Sequence, residues 1–145
     1  MANISSVGPR EAKRLVDEEG YTYVDVRSVD EFESGHPTGS TNVPIAHLGP
    51  GGMVPNPDFL RVMEANFTPD AKLVLGCKSG GRSMRAAEAL AGVGFTNLVN
   101  MEGGFGGRFS TTGALMQTGW QAEGLPVSRD EEGGTSYAAA SAKAG

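Results

Sequence analysis

An unbroken apolar run, Leu73-Val74-Leu75, constrains the fold of this chain more than any other feature. A short continuous apolar run that ends at a glycine, here Gly76, is typical of a central parallel strand that is covered on both faces. Helical patterns lie on either side of this run, over residues 58–67 and 82–91. Because strands that alternate with helices indicate an α/β domain, we predict a central, mostly parallel sheet flanked by helices.

The same alternation runs along the rest of the chain. Glycine and proline, with 22 and 8 residues, predict many tight turns. They also predict a long surface loop over residues 45–57, at the rim of a site. The further predicted helices cover residues 10–19, 29–35 and 111–119, and the further predicted strands cover residues 21–26, 41–43 and 95–101.

The chain is predicted to form one domain with a tail. Its 145 residues fit the typical length of about one domain, which we place at residues 1–127. Residues 128–145 consist mainly of Asp, Glu, Gly, Ala and Ser, with Tyr137 as the one aromatic residue. Such a composition buries little apolar surface, so we expect this tail to be disordered.

Charge and hydropathy exclude several classes of partner. The chain has 12 basic and 17 acidic residues and a net charge of −5. A field of that sign repels phosphate backbones, so we expect no nucleic-acid partner. The apolar runs are far too short to cross a membrane, and the first residues show no targeting pattern. We therefore expect no membrane partner and a cytoplasmic location.

Cysteine and histidine are scarce. Cys77 is the only cysteine, which excludes an internal disulfide and a zinc site built on several thiolates. His36 and His47 are the only histidines, so we expect no metal site. No nucleotide P-loop is present, and the glycines of residues 102–107 lack the order that binds dinucleotides, so we expect no cofactor.

The loop that follows the central run carries the chemistry. Residues 77–83 read Cys-Lys-Ser-Gly-Gly-Arg-Ser and lead from the strand into a helix. A glycine-rich turn at a helix N-terminus favours an anion, and here that anion can be the Cys77 thiolate. Lys78, Arg82 and Arg85 lie near the same helix N-terminus, where cations weaken the helix. An anionic substrate explains this placement, whereas folding alone does not.

Several residue types with catalytic potential have simpler interpretations. A thioredoxin-type dithiol is excluded because no second cysteine exists. A cysteine–histidine hydrolase stays open, with His36 or His47 as the base, although His36 is better interpreted as a structural turn histidine. We interpret the charged residues Asp25, Arg27 and Glu31 as an ion-paired brace rather than as catalytic groups.

Two further positions concern packing. Met53 and Phe59 fit either a pocket entrance or ordinary packing, and the sequence leaves the choice open. Trp120 is interpreted as a core aromatic residue.

With these motifs, the chain resembles a single-domain rhodanese, a thiosulfate sulfurtransferase-like domain, over most of residues 4–127. One departure from the family pattern is Pro37, where an aliphatic residue is usual. The segments that carry the resemblance are Asp25-Val26-Arg27 with Glu31-Phe32, then Gly35-His36 through Gly39 with Asn42 and Pro44, the loop 77–83, Gly103-Gly104, Trp120 and Gly124-Leu125-Pro126-Val127.

The resemblance implies a rhodanese-like three-layer fold and a sulfurtransferase activity. Four residues separate Cys77 from Arg82, as in the sulfurtransferase branch, whereas the related phosphatase branch has five. Cys77 would attack a small anionic sulfur donor such as thiosulfate and carry the sulfur as a persulfide. The residues expected to bind the donor are Lys78, Ser79, Gly80, Gly81, Arg82 and Ser83.

The sulfur acceptor must come from outside the chain because there is no second cysteine. Cyanide and thiols are the expected acceptors, and a thioredoxin-like protein is a candidate. One alternative is a sulfur-carrier or sensor module that delivers the persulfide sulfur to a specific protein partner. A second is an enzyme that acts on arsenate or phosphate esters, against which the short loop argues.

Overall fold

The computed structural model describes residues 4–79, 81–129 and 133–144. Within these residues, helices and short strands alternate along the chain. The elements are β1 (Ile4–Val7), α1 (Pro9–Glu18), β2 (Thr22–Asp25), α2 (Val29–Ser34), β3 (His36–Pro37), β4 (Thr41–Asn42), β5 (Ala46–Gly49), β6 (Gly52–Pro55), α3 (Phe59–Asn66), β7 (Lys72–Gly76), α4 (Gly81–Gly92), β8 (Asn97–Met101), β9 (Arg108–Phe109), β10 (Leu115–Gln117), β11 (Val127–Ser128) and α5 (Tyr137–Ala142).

The central sheet has the strand order β1-β8-β7-β2-β4, and every neighbouring pair in it is parallel. β7 lies in the middle, as its apolar sequence predicts, and its last four residues are buried. In the register of β2 with β7, Asp25 lies opposite Gly76. The carboxyl ends of these two strands therefore meet at one edge of the sheet, where parallel α/β sheets bind their ligands.

Helices cover both faces of this sheet. Alternate residues of β7 point to opposite faces. Leu73 and Leu75 join one core cluster with residues of α3, α4 and α5, and Val74 joins a second cluster with α1 and Trp120. This confirms the predicted α/β class with a central parallel sheet flanked by helices. None of the helices in the described residues combines the length and the apolar content that crossing a membrane requires.

The predicted surface loop over residues 45–57 contains regular structure. β5 and β6 pair as an antiparallel hairpin, with Ala46 opposite Pro55. Gly52 follows the turn with a φ of 121°, a conformation that favours glycine. The glycine and proline residues that indicated a loop thus form the tip of a hairpin.

The helix predicted over residues 111–119 is wrong, because β9 and β10 form an antiparallel hairpin there. The Ser110 amide donates to the Ala114 carbonyl, and Gly113 has a φ of 88°. A left-handed residue ends a helix rather than continuing it. Leu115 and Met116 are exposed, so the apolar residues that suggested a helix face do not pack in a core.

The C-terminal segment also differs from its prediction as a disordered tail. α5 packs on the first core cluster through Ala140, which is fully buried. The Tyr137 hydroxyl accepts a hydrogen bond from Asn56, and Thr135 forms a bridge to Thr41. Tyr137 and Ala144 also pack against this cluster, and Asn66 donates a hydrogen bond to the Ala140 carbonyl. Average composition misses such contacts because it does not show which few residues of a segment reach the core. Residues 130–132 and 145 lie outside the described residues.

Candidate active site

Cys77 is the first residue after β7, and α4 begins four residues later at Gly81. The strand, loop and helix thus follow one another as the sequence predicts. Only 1% of Cys77 is exposed, so the sulfur lies at the bottom of the loop rather than on its rim. The N-terminus of α4 adds partial positive charge to this region, which favours an anion.

Ser83 lies beneath the thiol. Its hydroxyl oxygen is 3.4 Å from the Cys77 sulfur, and its hydroxyl donates to the Asn100 side-chain oxygen at 2.5 Å. Because this hydroxyl hydrogen is directed to Asn100 in β8, the Ser83 oxygen can accept a hydrogen bond from the Cys77 thiol. Ser83 is fully buried, so it supports the sulfur from the core side and does not face solvent with the rest of the loop.

The floor of the site depends on a close contact between Gly76 and Tyr23. A Cβ atom at Gly76 would lie 1.8 Å from the Tyr23 hydroxyl oxygen, so no other residue fits there without movement. Burial, together with the negative charge of Asp25, raises the pKa of Tyr23 well above its ordinary value. Tyr23 is therefore a neutral phenol that packs against the strand end.

A second glycine turn, residues 103–107, holds the backbone of the cysteine loop. The amide of Phe105 donates to the Cys77 carbonyl at 2.7 Å, and the amide of Gly106 donates to the Lys78 carbonyl at 2.8 Å. Gly104 has a φ of 55°, and a Cβ atom there would lie 2.3 Å from the Cys77 carbonyl oxygen. From the sequence, these glycines served only to exclude a dinucleotide-binding motif, although paired glycines also indicate a close backbone approach.

Asp25 and Arg27 form a buried brace beside the site. The Arg27 guanidinium donates to both Asp25 carboxylate oxygens and to the Gly35 carbonyl, and it stacks 4.3 Å from the Phe105 ring centre. Burial lowers the pKa of Arg27, but the hydrogen bonds to Asp25 and the negative charge of that carboxylate together outweigh burial and raise the pKa above its ordinary value. Asn42 donates to the carbonyls of Asp25 and Arg27. The hydrogen bonds of Arg27 thus stabilise the fold.

Glu31 and Arg82 form a second pair, which reaches across the chain into the cysteine loop. The two guanidinium nitrogens lie 2.7 Å and 3.0 Å from the two carboxylate oxygens. Glu31 also accepts from the backbone amide of Ser28, in a capping box at the start of α2. Burial raises the pKa of Glu31, but the hydrogen bonds from Arg82 and Ser28 and the charge of Arg82 lower it to about 2.

The predicted single brace of Asp25, Arg27 and Glu31 is therefore two separate pairs. Arg27 is held by Asp25, whereas Glu31 holds Arg82, one of the residues predicted to bind the donor. The Glu31 carboxylate consequently fixes the orientation of the Arg82 guanidinium and partly balances its charge.

Two exposed cations lie at or near the cysteine loop: Lys78 in the loop and Arg85 in the first turns of α4. Within residues 4–79, 81–129 and 133–144, neither side chain has an ion-pair partner. Ser79 and Gly81 are exposed as well. Gly80, which was also predicted to bind the donor, lies outside the described residues.

The two histidines have structural contacts. His36 is buried and stacks on Phe32, with ring centres 3.7 Å apart, and its Nδ1 lies 3.1 Å from the Pro37 carbonyl. His47 packs at a tilt against Tyr137. In the part of the chain that the structure describes, no three His, Cys, Asp or Glu side chains converge as a metal site would require.

The sequence matches the family model of the Rhodanese-like domain over residues 8–107. Thiosulfate sulfurtransferase 16, chloroplastic, of Arabidopsis thaliana is 37% identical over 108 residues, which cover 74% of this chain and 80% of that protein. Senescence-associated protein DIN1 of Raphanus sativus is 41% identical over 101 residues, which cover 70% of this chain and 55% of that protein. The matched region thus spans only about half the length of DIN1.

A solved structure agrees with these sequence matches. The crystal structure of Rv0390 from M. tuberculosis superposes with a TM-score of 0.72 and 28% sequence identity. The match covers 90% of this chain and 100% of that one, so the two chains share their overall fold.

Proposed function

The chain belongs to the rhodanese-like domain family of sulfurtransferases, and we propose that it transfers sulfane sulfur from a small anionic donor such as thiosulfate to an external acceptor through a persulfide on Cys77. The observation that carries this proposal is the position of Cys77. It lies at the carboxyl end of the central strand, in a loop closed by a helix N-terminus. Lys78 supplies an exposed positive charge at the next residue.

In the first step, the Cys77 thiolate attacks the outer sulfur of the donor. A new S–S bond forms to Cys77, the S–S bond of thiosulfate breaks, and sulfite leaves with the electron pair. Lys78 and the N-terminus of α4 attract the donor dianion and stabilise the charge that develops on sulfite. No metal or cofactor is needed for this displacement.

In the second step, an external nucleophile removes the sulfur. Cyanide or a thiolate attacks the outer sulfur of the persulfide, and the electron pair of the broken bond returns to the Cys77 sulfur. Ser83 and Asn100 keep the Cys77 sulfur in place from the core side. Arg82 orients the loop and contacts the donor with the N–H groups that Glu31 leaves available.

The alternative is a carrier that passes its sulfur to one protein partner, and the two hairpins favour it. Leu48 on the first hairpin and Phe109, Leu115 and Met116 on the second are each more than half exposed. Clustered exposed apolar side chains mark protein interaction sites. A thioredoxin-like protein with a reactive thiol is the candidate acceptor in that case.

Intact-mass measurement tests the proposal directly. The protein is incubated with thiosulfate, its mass is measured, and cyanide is then added. We expect the gain of one sulfur atom, its loss to cyanide, and no gain in the Cys77→Ser variant. A carrier would gain the sulfur but release it slowly to cyanide and small thiols. Absence of any gain, with thiosulfate and with 3-mercaptopyruvate, would contradict the proposal.

The expected cytoplasmic location stays a prediction. The Arabidopsis relative described above is named chloroplastic, which is a property of that protein. The absence of nucleic-acid and membrane partners is likewise proposed from charge and hydropathy alone.

A further inference from the structure

A half-open groove runs beside the cysteine loop. It lies between the first hairpin, α3 and α4, and has a cavity volume of about 440 Å³. We call it the side groove. Its apolar lining consists mainly of Ile45, Ala46, Met53, Phe59, Leu60 and Ala89. The sequence left open whether Met53 and Phe59 line a pocket or pack in the core. Met53 lines the groove from the exposed hairpin, whereas Phe59 both lines the groove and packs in the first core cluster.

The side groove is joined to the site by Arg82, which is both a residue of the cysteine loop and part of the groove lining. Because Glu31 pairs with Arg82, the charge of Arg82 is partly balanced. Arg85 lies about one turn further along α4 and also lines the groove. It is exposed and has no ion-pair partner among the described residues. The groove thus combines an apolar wall with one unbalanced cation.

The groove is larger and more apolar than a site for thiosulfate requires. Thiosulfate is a single tetrahedral ion without apolar surface, whereas pockets for organic ligands measure about 300 to 1,000 Å³. A molecule with an apolar body and one anionic group fits the lining and the charge of Arg85. Since the chain has no second cysteine, the reaction still needs an external acceptor, and the groove lies beside the loop where the persulfide would form.

We propose that the side groove binds the sulfur acceptor, an organic thiol with an apolar body and a carboxylate or sulfonate that pairs with Arg85. This inference rests on the proposed function. The acceptor thiolate attacks the outer sulfur of the Cys77 persulfide, so a new S–S bond forms on the acceptor. The S–S bond to Cys77 breaks, its electron pair stays on the Cys77 sulfur, and the acceptor leaves as its own persulfide. No further oxidant or reductant is needed.

Binding is tested first with a probe that contains no sulfur. We titrate the full chain with 2-naphthoate and with uncharged 2-naphthamide, and follow backbone amide NMR shifts. We expect 2-naphthoate to shift amides of α3, α4 and the first hairpin, with a Kd of about 1 mM or lower. Arg85→Gln should weaken 2-naphthoate about fivefold, to the level of 2-naphthamide, because it removes the cation.

Two variants block the groove and one serves as a control. Ala89→Phe fills the groove with a large side chain. Met53→Glu, on the exposed first hairpin, places a negative charge in the groove wall. Met53→Glu replaces Ala89→Phe in the experiment if Ala89→Phe does not fold. Either should abolish binding of 2-naphthoate. Arg108→Gln is the matched control, because Arg108 is an exposed arginine near the loop that lines a different depression with Ser79 and Gly81. Equal binding in all variants, or shifts elsewhere on the chain, would overturn the inference.

Transfer is tested with 4-mercaptobenzoate and cyanide as competing acceptors. The persulfide is formed beforehand, so that donor binding does not enter the measured rate. In Arg85→Gln we then expect the KM for 4-mercaptobenzoate to rise about fivefold relative to the KM for cyanide, which has no apolar body to occupy the groove. An unchanged KM, in a protein that still forms the persulfide, would overturn the groove inference alone. Failure to form a persulfide would overturn the proposed function, while the 2-naphthoate titration would still report on the groove.

Discussion

Two arginine–carboxylate pairs flank the cysteine loop, and they differ in burial. The side chains of Arg27 and Asp25 are 5% and 1% exposed, whereas those of Arg82 and Glu31 are 17% and 30% exposed. Both pairs are held by more than one hydrogen bond. An arginine–carboxylate ion pair therefore occurs once in the core and once at a partly exposed position.

The difference in burial assigns different roles to the two pairs. A fully buried pair has lost its hydration, so breaking it leaves an unpaired charge in the protein interior at high cost. A half-buried pair keeps part of its hydration and can exchange a partner for water or for a substrate anion. Asp25–Arg27 is thus a structural brace, and Glu31–Arg82 connects the fold to the reacting loop.

The largest effect on activity is expected from Cys77→Ser in the cysteine loop, whereas substitutions in the Asp25–Arg27 brace should mainly affect stability. Sulfur transfer should fall at least about a thousandfold, because the serine hydroxyl is a far weaker nucleophile than a thiolate. Stability should fall by about 1 to 2 kcal/mol at most, because serine is close in size to cysteine but its hydroxyl is more costly to bury at this position. Steady-state transfer from thiosulfate to cyanide, measured with a thermal unfolding curve, checks both points. Full residual activity would show that the loop does not do the chemistry.

The brace is broken by Arg27→Met, which should cost about 3 to 5 kcal/mol of unfolding free energy, since the Asp25 carboxylate is left buried and unpaired. The double variant Asp25→Asn with Arg27→Met carries no unpaired charge and should recover much of this loss. Urea unfolding of the three proteins measures the difference. If Arg27→Met is as stable as the parent, the two pairs do not differ in the way that burial indicates.

The second pair is tested by Glu31→Gln, which keeps a capping-box residue and removes the charge. With the pKa of Glu31 lowered from 4.5 to about 2, the pair stabilises the fold when Glu31 is ionised. We expect a loss of about 1 to 2 kcal/mol near neutral pH, after allowance for solvent screening.

The pH dependence fixes the sign of this effect. A carboxylate whose pKa is depressed on folding contributes its full stability above its unfolded pKa and loses it as the pH falls through the folded value. The stability difference between parent and Glu31→Gln should therefore be constant above about pH 5 and shrink toward pH 2. A difference that grows on acidification would contradict the assigned pair.

The smallest effect is expected from Lys78→Ala. This exposed cation attracts the donor without supporting the fold, so the KM for thiosulfate should rise about threefold to tenfold at low salt, with stability unchanged. The increase should become smaller at high salt, where screening already weakens the attraction. Lys143→Ala, which removes an exposed lysine after α5, is the control and should leave the KM as it is.

Local patterns predicted much of the fold. β2, β7, α1 and α4 were predicted close to their observed positions, because each shows its own hydrophobic period or ends at a glycine. The second hairpin and α5 were not. Leu115 and Met116 are apolar yet exposed, and Ala140 is a single small residue that happens to reach the core. The composition of a short segment does not show whether its apolar residues are exposed or buried in the core.

By itself, the sequence determined where the cysteine loop lies and which residue in it is the candidate nucleophile. Both are local properties of one strand, one glycine-rich turn and a single cysteine. Only the tertiary structure decided that Glu31 holds Arg82, 51 residues away, and that Gly104 packs on the Cys77 backbone. The physical reason is that ion pairs and close backbone contacts depend on distances in space, which the fold of the sheet sets and which sequence spacing does not.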